Sequence, residues 1–196
     1  GIVNRLAIGS RHDAPLASLV TASGGSTSDV EDLVVATKVR VLSESPGRPA
    51  LGVRFATRLP NASNESGLGL DTTDFLATLV GAKTVRSARI VGNLGLGILG
   101  DPTNGQRQND VVLYGASIAK AVSDVTELVG EVHGRVSGRS EAIPGTENRA
   151  TITLGARYTR RAVRLDGGVF LGLTPTDPTV GLTAGVTYVF NAFTVP

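Results

Sequence analysis

Along most of this chain apolar and polar residues alternate one for one, the period of a β-strand with two unlike faces. The alternation predicts clear strands at 33–42, 50–59, 87–99, 127–138, 148–159, 163–173 and 180–190, with weaker ones at 6–10, 74–83 and 110–122. Most come close to the roughly 9–11 residues that a tilted strand needs to cross a bilayer. Long connections at 11–31, 60–73, 100–109, 139–147 and 174–179 alternate with short ones at 43–49, 84–86, 123–126 and 160–162. The long ones are rich in loop formers, as in Asp101-Pro102-Thr103-Asn104-Gly105. Long loops at one rim and tight turns at the other are what an up-and-down barrel produces. Two stretches compete with this reading. Ile118, Val122, Val125, Val129 and Val132 recur at spacings of four and three, which suits a helix over 117–132 in place of a hairpin. Residues 75–81 show no clear face.

The faces differ in charge as well as in hydropathy. One phase of the seven clear strands, carrying Leu33, Val35, Val53, Phe55, Ile90, Leu94, Ile152, Leu154, Leu165, Leu171, Tyr188 and Phe190, holds no charged residue. The interleaved phase carries Lys38, Arg40, Arg54, Arg58, Arg89, Glu127, Glu131, His133, Arg135, Arg149, Arg157, Arg164 and Asp166. A soluble barrel also alternates, but it turns the apolar face inward and needs bulk there. Here that face is small and aliphatic, with Gly92, Gly130, Gly134 and Gly167 interspersed. Lipid tails fill such gaps, and an Arg or Lys at the bilayer midplane costs roughly 2–4 kcal/mol, which accounts for strict exclusion of charge. The expected fold is all-β: an antiparallel up-and-down transmembrane β-barrel of about ten strands, formed by residues 1–196 as a single domain. The expected interior lining is Lys38, Arg40, Arg54, Arg58, Arg89, Asn93, Glu131, His133, Arg135, Arg157, Arg164 and Asp166.

Composition narrows the chemistry. The 196 residues include no cysteine, which removes disulfides, Cys-based metal sites and thiol catalysis. His12 and His133 are the two histidines, too few for a multi-His metal site. A net charge of +2 with no block of like charge gives no footprint for nucleic acid. No run of 18 apolar residues suggests a transmembrane helix. Aromatics are few (three Tyr, five Phe, no Trp), a thin supply for interfacial girdles. The chain opens at Gly1 with no legible signal peptide and reads as a mature form or a fragment.

Gly95-Leu96-Gly97-Ile98-Leu99-Gly100 matches G-x-G-x-x-G by letter, but a turn follows where a dinucleotide site needs a helix. Asn61-Ala62-Ser63 and Asn64-Glu65-Ser66 are formal glycosylation acceptors that read as polar surface loop. Asp71, Asp74, Asp101 and Asp110 could gather calcium at a rim, against the plainer reading of solvated loop charge. Glu131, His133 and Arg135 share one strand face and suit an ion-pair ladder; without a nucleophile beyond Ser137 they make no hydrolase triad. No cofactor, metal or enzymatic activity is expected.

The run Asp32-Leu33-Val34-Val35-Ala36-Thr37-Lys38-Val39-Arg40, then Pro49-Ala50-Leu51 and Leu59-Pro60, resembles the outer-membrane barrels named after the meta-pathway of phenol degradation. Val91-Gly92-Asn93-Leu94-Gly95-Leu96-Gly97 and the C-terminal Gly185-Val186-Thr187-Tyr188-Val189-Phe190 resemble that family too. The resemblance implies a Gram-negative outer-membrane location and transport of small solutes, anionic or aromatic. Barrel-assembly machinery, reading the C-terminal strand, and the lipid bilayer would be the partners. Val39 stands where an aromatic is common in that family. The family also implies further N-terminal strands, up to about twelve in a full-length parent, within the even counts of bacterial barrels. The expected function is therefore a small-solute channel with a basic lumen. The alternatives are a closed structural or surface-interaction barrel, and a soluble barrel binding a hydrophobic ligand.

Overall fold

The computed structural model describes residues 4–7, 16, 18–21 and 25–189. Among these residues eleven strands follow one another: β1 (Asn4–Ala7), β2 (Ser26–Asp29), β3 (Leu33–Leu42), β4 (Ala50–Leu59), β5 (Asp74–Val85), β6 (Ala88–Gly100), β7 (Gln108–Ala121), β8 (Thr126–Ser137), β9 (Arg149–Arg160), β10 (Val163–Gly172) and β11 (Val180–Tyr188). The protein is all-β and antiparallel. Strands β3 to β11 form a single nine-stranded meander in which each pairs with its sequence neighbours. Among the described residues β1 and β2 pair only with each other.

Every clear strand stands within a residue or two of its expected position. The segment 117–132 forms a hairpin, not a helix: Val122 and Ser123 donate to the Thr126 carbonyl at 3.0 and 3.2 Å and close a turn between β7 and β8. Cross-strand packing of β-branched residues overrides a helical spacing that arose by coincidence. Residues 74–83, faceless in sequence, belong to β5, paired on both sides. The weak strand expected at 6–10 is observed as β1, displaced toward the N-terminus and outside the large sheet; residues 8–10 lie outside those described. The connection expected over 11–31 contains β2, a polar strand with no apolar alternation to betray it.

The register settles how faces continue from strand to strand. Val39, Val53, Leu79, Leu94 and Tyr114 are successive partners across β3 to β7. Ile90, Ile118, Gly130, Leu154, Val169 and Leu182 form a second row from β6 to β11. Such rows merge the uncharged phases into one sheet face, and that face is exposed: Leu94 and Leu154 at 61%, Leu182 at 83%. Charges on this face are confined to strand ends, with Asp110 near the start of β7, Lys83 and Lys120 near the ends of β5 and β7, and Arg160 closing β9.

The other face is concave. Arg135 on β8 donates to the Gly145 carbonyl, and Gly145, in the connection between β8 and β9, packs beside Leu70 from the connection between β4 and β5. In a flat sheet β4 and β5 would stand roughly 14–19 Å from β8 at about 4.8 Å per strand. The sheet therefore curls with its charged face inside. Its edges are β3 and β11; among the described residues neither pairs across to the other. Buried hydrophobic residues are few (Ala56, Ala62, Leu99, Val111 and Ile143), and most of them gather at the long-loop rim.

Candidate functional site

At that rim the long connections pack together. Asp32 accepts hydrogen bonds from the amides of Asn61 and Ala62, both at 3.1 Å, and of Leu70 at 3.4 Å, folding loop 60–73 over the sheet. Arg58 forms ion pairs with Asp74 and, at 3.8 Å, with Asp32; Asp74 also accepts from the Gly100 amide at 3.0 Å. Asn109, fully buried, donates to Ser137 Oγ at 2.9 Å and Thr146 Oγ1 at 2.8 Å, and its own carbonyl accepts from Arg139 Nε at 3.0 Å. Arg135 donates to the carbonyls of Glu147 at 2.9 Å and Gly145 at 2.7 Å. Gly145 adopts φ +87°, and a Cβ there would fall 2.9 Å from Pro102, 3.1 Å from Leu16 and 3.4 Å from Leu70. Three long loops and the N-terminal connection thus meet at one residue, forming a cap.

Asp101 organises its own loop within this cap. Burial pushes its carboxyl upward, but donors from Thr103 (Oγ1 at 2.7 Å, N at 2.8 Å), Arg107 Nε at 2.9 Å and Asn104 N at 3.1 Å outweigh it and hold the carboxyl below its ordinary value. At the opposite rim Glu44 accepts from Thr84 N at 2.7 Å, with Lys83 and Arg89 nearby. That amide is the main reason its carboxyl lies below the ordinary value. Lys83 Nζ, on the apolar side, reaches the Ser45 carbonyl at 2.6 Å, so the short turn absorbs its charge.

The register places Lys38, Arg40, Arg54, Arg58, Arg89, Asn93, Glu131, His133, Arg135, Arg157, Arg164 and Asp166 on the concave side. They are not equivalent. Arg157 pairs with Glu127 at 3.3 Å across β8 and β9, and Arg89 with Glu44 at 3.5 Å. Glu131 and His133 meet at 3.1 Å, but the ladder expected to continue to Arg135 ends there, because Arg135 turns to the cap carbonyls. No side-chain hydrogen bond or ion pair joins Lys38, Arg40 or Arg54 to any described residue. The rim aspartates do not converge: Asp74 and Asp101 are taken by arginines and Asp110 lies on the opposite face. Among the described residues no group of three His, Asp or Glu could hold a metal ion.

Alternation missed the cap residues Asp32, Asn109, Arg139 and Thr146. Their partners come from loops, where no periodicity exists to read. Arg149 was legible as a charge on the concave phase; its Nε is buried and unpartnered. Comparison of the chain with models of known protein families and with curated proteins finds no match.

Proposed function

We propose that this chain is a β-barrel protein of a Gram-negative outer membrane that passes small solutes, anions in preference, through a basic interior. One observation carries the reading: aliphatic side chains cover the convex face of the sheet while arginines and lysines line the concave one. A contiguous apolar surface of this extent marks contact with lipid or with another protein. Confinement of outward charge to strand ends fits a bilayer, whose core penalises charge by depth. A soluble barrel built to hold a hydrophobic ligand would need the reverse arrangement. The short motifs that resemble those of the meta-pathway barrels would imply the same location.

Basic residues outnumber acidic ones on the concave face, and rings of Arg or Lys favour anions. The expected outcome is that the protein extracts only with detergent and, in a planar bilayer under a salt gradient, gives a reversal potential on the anion side. Cation preference would overturn the selectivity. The cap favours a second reading, a closed barrel whose long loops contact partners; absence of any conductance, with the protein inserted, would select it.

A further inference from the structure

We propose that Lys38, Arg40 and Arg54 form a binding site for a small multivalent oxyanion on the concave face of β3 and β4. This rests on the reading of that face as the interior. Lys38 and Arg54 are direct cross-strand partners, and Arg40 follows two residues along β3 on the same face. Like charges placed opposite one another destabilise a sheet unless something neutralises them. Among the described residues nothing does so, since none of the three side chains has a hydrogen bond or an ion pair.

Neighbouring arginines show the contrast. Arg58, four residues further along β4 on the same face, is neutralised by Asp74 and Asp32. Arg157 and Arg89 have carboxylates of their own, and Arg135 is occupied by carbonyls. On the concave side of β3 to β5 the sole carboxylate within the strands is Asp74, in the Arg58 row. Ala36, Ala56 and Leu76 fill the row between it and the three free cations. The surroundings are small: Gly52 faces Arg40, and Thr78, next to Arg54 in its row, adds a hydroxyl donor. Two guanidinium forks and an ammonium on adjacent positions of one sheet face, in register with a hydroxyl, suit an oxyanion with several acceptor oxygens, which accepts bidentate bonds from arginine.

The test is calorimetric titration of the detergent-solubilised full chain with inorganic pyrophosphate at constant ionic strength. Wild type should bind at one site, and K38Q/R40Q/R54Q should bind at least tenfold more weakly while keeping its unboiled gel mobility. Lys120→Gln, on the opposite face, should bind as wild type does. Arg54→Gln alone should weaken binding severalfold and serves if the triple variant does not fold. Equal affinity in wild type and in either variant that replaces Arg54, or no binding by wild type, overturns the site. The transport reading fails separately: binding without conductance sinks transport and leaves the site, while anion-selective conductance without binding does the converse.

Discussion

Leu154 and Arg157 lie three residues apart on β9 and face opposite ways, so they test the orientation of the sheet directly. Leu154 is near the middle of its strand and largely exposed on the convex side. Under the proposed membrane reading, Leu154→Arg should cost about 2–4 kcal/mol at the bilayer midplane, and should abolish the heat-modifiable band that a closed barrel would give on unboiled gels. Arg157→Leu removes only a half-exposed pair with Glu127. Its expected cost is about 0–1 kcal/mol, with the band retained; equal assembly of the two variants would contradict the orientation. Gly145→Ala places a side chain in the left-handed region and against Pro102 and Leu16. It should destabilise the cap by about 1–3 kcal/mol, read as faster proteolysis within 138–148. The place of Leu154 in the uncharged phase of its strand could be read from alternation alone. That of Gly145 could not, because its neighbours come from loops far apart in sequence.

Strands and loops obey different physics here. Each strand's phase is a local property, and the hydrogen-bond ladders simply carry it sideways. The loop at 101–107 depends instead on one carboxylate. Because the folded Asp101 carboxyl lies below its unfolded value of about 3.9, its contribution is complete above that pH and is lost as pH falls through the folded value. Amide resonances of Thr103 and Asn104 should therefore broaden or shift on acidification below about pH 4. Asp101→Asn should flatten that dependence. Persistence of the transition in the variant would assign it to another group.

At the scale of the molecule, strand count constrains closure. β3 and β11 stand eight strands apart in an antiparallel meander and so run in the same direction. Direct pairing of the two edges would be parallel, unlike every other pair in the sheet, whereas bacterial single-chain barrels close with even counts. Closure by antiparallel pairing needs an odd number of additional strands between them. The chain has no cysteine, so introduced pairs report cleanly. Val35→Cys with Leu182→Cys should not form a disulfide within one chain under mild oxidation; a bond there would show direct parallel closure.

By itself the sequence determined the seven clear strands β3, β4, β6, β8, β9, β10 and β11, their phases, and the alternation of long and short connections, all set by which side chains tolerate which surroundings within a few residues; β5 it left without a face, and the turn between β7 and β8 open to a helix. Only the tertiary structure decided which way each phase faces, which arginines find carboxylates, and how the long loops knit into a cap. Those outcomes depend on register and curvature, which bring together residues such as Leu70 and Gly145 that no local period connects.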